Sequence, residues 1–235
     1  MKQESLEKNN LEVKEKKDET IQALIVSAGE IDLDLINYYT SVSEFKYIIG
    51  VDKGIEYLKL CNIKPTHLVG DFDSINKEVL EEYIGMEDIT TRIFNPNKEG
   101  TDTELAVNLA IDLGVDRIFL LGGTGRRLDH TFGNIYISKT ALDKGVNCFI
   151  IDKYNRIFIA GPGKVHVNKG NVYKYITVFP YEGHVKGLSI KGVKHPIDVD
   201  VLEKENTQSI SNQIIDKECT IEIGQGHLII VQSRD

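Results

Sequence analysis

Residues 45–73 read FKYIIGVDKGIEYLKLCNIKPTHLVGDFD. An apolar run, FKYIIGVD (45–52), ends on an aspartate; Ile55 to Leu60 has helical spacing; a second apolar run, THLVGD (66–71), ends on another aspartate. Neither run alternates apolar with polar. Each predicts a strand buried on both faces, the pattern of a parallel sheet covered by helices. Outward from this stretch the pattern recurs: ALIVSAG (23–29) precedes it, and TTRIF (90–94), RIFLLGG (117–123) and NCFIID (147–152) follow. Helical spacing marks Asp32 to Val42, Lys77 to Ile84, Glu104 to Leu113 and Thr131 to Asp143. The predicted fold is α/β, a doubly wound, mainly parallel, Rossmann-like sheet whose ligands belong at the carboxyl ends of its strands.

Beyond about Ile151 the helical period stops. NRIFIA, VYKYITVF, VKGLSI, CTIEIG and HLIIVQS alternate or run apolar, separated by turn residues such as Gly161-Pro162-Gly163, Gly187, Gly192 and Gly224. These predict a smaller all-β sandwich domain. The division is an α/β domain over residues 21–153 and a β domain over 154–235. Ahead of both, residues 1–20 carry five lysines and six acidic groups with few large apolar side chains, and predict a solvated extension, not a secretory signal.

Composition narrows the function classes. With 41% apolar and 27% charged residues in 235, the chain is ordinary globular protein. Its formal charge of −8 repels phosphate backbones, which argues against a nucleic-acid partner. No apolar run approaches the roughly 18 to 20 residues that span a bilayer, so no membrane partner is expected. Cys61, Cys148 and Cys219 are scattered and never in a C-x-x-C pair. They predict buried, reduced thiols and a cytoplasmic protein.

The polar residues collect just after the predicted strands: Asp52; Asp71 and Asp73; Asp102; then Arg126, Arg127, Asp129 and His130. Parallel strands would bring these loops to one edge of the sheet. Two unit charges about 4 Å apart repel by roughly 4 kcal/mol at an effective dielectric near 20. An oxygen-only acidic cluster therefore suits Mg²⁺, which keeps waters and takes substrate phosphate oxygens. Arginine forks grip phosphate oxygens in pairs. Together they read as a nucleotide-phosphate site. Local structure offers a plainer account of the same residues. Thr101-Asp102-Thr103-Glu104 fits a capping box with Thr101 as N-cap, and Asp71-Phe72-Asp73-Ser74 fits an Asx turn with Ser74 capping the next helix. The glycine-rich GGTGRRLDH could approach an anion closely, yet no G-x-x-x-x-G-K-[ST] or G-x-G-x-x-G motif occurs. His67, His166, His184, His195 and His227 stand apart from other candidate groups; only His130 neighbours them.

GDFDSI (70–75), KEGTDTELA (98–106) and LGGTGRRLDHTFGNI (121–135), in that order, resemble the thiamine pyrophosphokinase family. GHVKGLSIKGVKHPI (183–197), SISNQ (209–213) and GHLIIVQS (226–233) are similar to its β domain, so the likeness covers roughly residues 22–235. The resemblance implies a homodimer with thiamine at the subunit interface, and transfer of the terminal pyrophosphate of ATP to the hydroxyl of thiamine, giving thiamine diphosphate and AMP. By position it implies Asp71, Asp73 and Asp102 at Mg²⁺ and the ATP phosphates, with Arg127 beside them as a catalytic cation. Asp52, Thr101, Arg127, Asp129 and His130 would bind ATP, and Ser211, Asn212 and Ser233 would face thiamine. The chain departs from the family's D-G-G at Asp52-Lys53-Gly54, from its usual Asp at Glu99, from Tyr at His195 and from Ala-Leu at Gly123-Thr124. Two other readings stay open. A haloacid-dehalogenase-like phosphohydrolase would use Asp71 as nucleophile, and a non-catalytic sensor would bind nucleotide or thiamine without turnover.

Overall fold

The structure, a computed structural model, describes residues 20–93 and 100–235. The predicted extension, apart from Thr20, lies outside them, as do Phe94, Lys98 and Glu99. The chain divides into two compact units, one running to Lys153 and the other taking Tyr154–Asp235.

The first unit alternates strand and helix: β1 (Gln22–Val26), α1 (Leu33–Val42), β2 (Tyr47–Val51), α2 (Gly54–Leu60), β3 (His67–Gly70), α3 (Lys77–Tyr83), β4 (Thr90–Ile93), α4 (Asp102–Asp112), β5 (Arg117–Leu121), α5 (Leu128–Asp143) and β6 (Asn147–Ile151). All six strands are parallel, in the order β6-β5-β1-β2-β3-β4. Aliphatic and β-branched side chains suit a strand covered on both faces. Leu24 on β1 lies between Ile48 and Phe119 of the flanking strands, and Leu24, Ile25, Leu68, Leu120 and Ile150 are fully buried. Each such side chain contributes about 1.5–3 kcal/mol by leaving water. α1 packs on α2 and α2 on α3, while α4 packs on α5. Right-handed crossovers running in both directions from β1 put these two groups on opposite faces.

Helix starts follow local chemistry. The Asp32 carboxylate accepts from the Asp34 N–H to open α1 (3.1 Å), and Thr101 Oγ1 accepts from the Glu104 N–H to open α4 (3.2 Å). The expected cap of α3 is corrected: Asn76, not Ser74, accepts from the Glu78 N–H (2.9 Å). Ser74 instead belongs to the turn after β3. α5 starts at Leu128, earlier than Thr131, with Asp129 in its first turn where the helix dipole favours negative charge.

The second unit is all β: β7 (Asn155–Ala160), β8 (Gly163–Asn168), β9 (Tyr175–Pro180), β10 (His184–Lys191), β11 (Ile197–Glu203), β12 (Asn212–Gln213), β13 (Glu218–Gln225) and β14 (Leu228–Ser233). Its strands pair antiparallel in the orders β12-β9-β14-β7 and β11-β10-β13-β8. Alternation buries Leu188 and Ile190 on β10 against Ile223 and Ile221 on β13, with Glu222 outside; left-handed Gly187 (φ 61°) shifts the alternation so that Val185 is buried and Lys186 exposed.

Candidate active site

Strand order reverses between β1 and β5, and there the chain carries a cavity of about 570 Å³. Ser27 to Glu30 after β1, Asp52 after β2, Thr101 to Thr103 at the start of α4, and Gly122 to Arg127 after β5 line it, with Tyr57, His130 and Asn134. The two glycine-bearing loops touch. Gly29 N–H donates to the Gly122 carbonyl (3.1 Å), and a Cβ on Gly29 would lie 2.3 Å from that oxygen, so only glycine fits. Three further bonds hold the loop after β5: Asn134 Nδ2 to the Gly123 carbonyl (2.7 Å), Thr124 Oγ1 to Asp152 Oδ2 (2.8 Å), and Arg126 Nε to Glu30 Oε1 (2.8 Å).

Asp52 sits at the rim in a left-handed conformation (φ 46°) that non-glycine residues rarely adopt. Its N–H extends the β2–β3 ladder to the Val69 carbonyl (3.2 Å), and its own carbonyl accepts from Ile55 to start α2. The glycine retained from D-G-G is the one this joint needs: a Cβ on Gly54 would lie 1.9 Å from the Val26 carbonyl, whereas Lys53 is exposed. Next along the edge, Phe72 is also left-handed (φ 61°) and buries its ring with Ile55, Leu68, Ile75 and Ile89. That plug leaves Asp71 half-buried and Asp73 exposed on either side of it. Phe72 N–H points at Asp52 Oδ1 (3.4 Å), and Asp73 N–H donates to Asp71 Oδ1 (3.1 Å), the expected Asx turn. Two strained residues side by side at a rim are the kind of feature that functional sites retain.

Asp52, Thr101, Asp102, Arg126, Arg127 and His130 therefore share one cavity. Asp71 and Asp73 are not among its walls; they adjoin it through Phe72 and Asp52. Among the described residues, no three His, Cys, Asp or Glu side chains are grouped to hold a metal ion. Arg127 forks onto Asp129, Nε to Oδ1 (3.2 Å) and Nη2 to Oδ2 (2.5 Å). The pair raises the arginine pKa and lowers that of the carboxylate, so both stay charged. Two of the five guanidinium N–H groups serve Asp129, and the outer edge still faces solvent. Sequence reasoning missed Ser27, Gly29, Glu30, Tyr57 and Asn134. The one available signal was the Ser-Ala-Gly that breaks the apolar run after Val26.

In the β unit, Tyr175 is the register partner of both Gln213 and Ser233, so Ser211, Asn212 and Ser233 gather around the start of β9. Ser211 is exposed and left-handed (φ 58°), its N–H bonded to Thr177 Oγ1 (3.1 Å). The buried amide of Asn212 clamps the backbone of His195, accepting from its N–H (3.0 Å) and donating to its carbonyl (2.6 Å). This gives Asn212 a structural task.

A family model described as the catalytic domain of thiamin pyrophosphokinase matches residues 38–150, and one described as its vitamin B1 binding domain matches residues 163–228. Thiamine pyrophosphokinase of Bacillus subtilis is 32% identical over 213 residues, covering 90% of this chain and 98% of the relative. The crystal structure of thiamine pyrophosphokinase from Bacillus subtilis superposes with a TM-score of 0.82 at 30% identity, covering 91% of this chain and 99% of that one. Thiamin pyrophosphokinase from Geobacillus thermodenitrificans gives 0.80 at 27% identity, covering 92% and 98%. The parallel sheet with its acidic, arginine-flanked cavity and the β unit that follows it are thus those of a known lineage, and the chain belongs to the thiamine pyrophosphokinase family.

Proposed function

We propose that the chain transfers pyrophosphate from ATP to the hydroxyl of thiamine, giving thiamine diphosphate and AMP, with the nucleotide seated in the cavity between the loops after β1 and β5. The observation that carries this reading is one cavity holding Asp52 and Asp102 together with Arg126 and Arg127. The Rossmann-like reading of the sheet rests on its reversal of order at that cavity.

The acidic donors at this edge are carboxylate oxygens alone, a set that fits a hard divalent cation such as Mg²⁺ better than a soft one. Asp71, Asp73 and Asp102, which the chain by itself does not group into a metal site, would hold it together with the ATP phosphates. Bound there, the ion would neutralise phosphate charge and polarise the phosphorus under attack. The remaining work belongs to the chain. Arg127, kept charged by Asp129, pairs with charge that accumulates on the phosphates. The anchored loop after β5 offers backbone N–H groups, as a glycine-rich turn does for an anion. Thr101 and His130 complete the nucleotide wall, and Asp71 or Asp73 takes the thiamine hydroxyl proton. Ser211 and Ser233 face thiamine, with Asn212 beside Ser211 bonded to the His195 backbone. From the family resemblance we also infer a cytoplasmic homodimer. The test is chromatographic: AMP and thiamine diphosphate form only when ATP, Mg²⁺ and thiamine are all present. Phosphate released without thiamine would favour a hydrolase and overturn this reading.

A further inference from the structure

We propose that the buried hydroxyl pair Ser27–Thr103 is a positioning joint that fixes Asp102 at the nucleotide cavity. The two side chains come from points 76 residues apart, and their oxygens lie 2.7 Å from each other. Ser27 is 6% exposed and Thr103 8%, yet both form part of the cavity wall. Ser27 N–H also donates to the Leu121 carbonyl (2.8 Å), so one residue closes the join of β1 to β5 and grips the first turn of α4. Thr103 follows Asp102 directly. The Thr101 cap lies wholly within the start of α4 and fixes its form. The Ser27 bond ties that turn to the sheet and fixes its place. A buried hydroxyl that loses its partner is penalised, so the pair favours one placement of the turn over displaced ones. Neither residue type is required for an apolar core at these positions, which is why the hydroxyls point to orientation and not to filling.

The inference rests on the reading that Asp102 faces the ATP phosphates, and the test separates the two. Thr103→Val, Ser27→Ala, the double variant, Thr103→Ser and Asp102→Asn are compared after thermal melts establish that each is folded. Binding of a non-hydrolysable ATP analogue with Mg²⁺ is measured by calorimetry, beside kcat and KM for each substrate. Thr103→Val and Ser27→Ala are each expected to weaken analogue binding and lower kcat/KM for ATP roughly 10- to 100-fold. The double variant should be no worse than the poorer single one, because both break the same bond. KM for thiamine stays put, and Thr103→Ser restores most of the loss. Wild-type analogue binding by Thr103→Val, or a loss in Thr103→Val without one in Ser27→Ala, would overturn the joint while Asp102→Asn still fails to bind. Wild-type binding and turnover by Asp102→Asn would instead overturn the reading of the site.

Discussion

Arg127 carries its charge to solvent on a two-point fork with Asp129, a residue only two positions along the chain. A guanidinium held this way is pre-oriented and presents its outer edge to a phosphate. On the proposed reading, removing it takes away a donor wanted most where charge develops. Arg127→Ala should therefore lower kcat/KM by about 100-fold or more while the protein stays folded. Steady-state kinetics decides it, and a wild-type rate would remove Arg127 from the site. Asp129 holds its pKa below the usual carboxylate range through the same arginine. The pair therefore contributes no titration near neutral pH. These residues were legible because each follows an apolar run in the sequence. Asn134 was not, since it lies nearly two turns inside α5, and only the folded chain brings it to the Gly123 carbonyl.

At the scale of elements, starts decide where the site residues fall. Thr101 has its predicted role, accepting from Glu104 N–H, and the Glu104 carboxylate folds back over Gly100. Thr101→Ala should cost about 1 kcal/mol of stability, with Thr101→Ser recovering it, as read by chemical denaturation. Apart from β4, TTRI, which is polar and mostly exposed, the α/β strands were plain in the sequence because each is an apolar run ended by a turn or polar residue. Three strands of the β unit were not, and one of them, β12 (Asn212–Gln213), is only two residues long. β8, GKVHVN, and β11, IDVDVLE, alternate with charged residues on their solvent side, and charge lowered their apparent strand character although the inward rows include buried Val167, Ile197 and Leu202. The shift from Ser74 to Asn76 has a similar cause. Both are good caps, and the buried Phe72 and Ile75 fix the chain so that Asn76 is the residue at the helix entrance.

For the whole molecule, acid sensitivity has an identifiable contributor in His67. Burial first, and Arg92 second, lower its pKa in the folded chain. The unfolded chain then binds a proton that the folded chain resists, so stability rises with pH across that window and declines as pH falls below about 6.5. His67→Gln should flatten this part of the stability curve, as followed by urea denaturation between about pH 5 and 7; an unchanged slope would place the sensitivity elsewhere. The thiols add nothing here. Burial pushes Cys148 and Cys219 up to about 12, whereas Cys61, expected to be buried with them, is only half-buried.

On the proposed reading, aspartates from separate strands would gather a divalent ion onto ATP at this edge. The most direct measurement is the Mg²⁺ dependence of AMP production by Asp73→Asn, an exposed position where the change leaves the packing untouched. Turnover is predicted to be abolished with circular dichroism and melting temperature as in the wild type. An Asp73→Asn protein that makes AMP at the wild-type rate, with the wild-type Mg²⁺ requirement, would contradict the account.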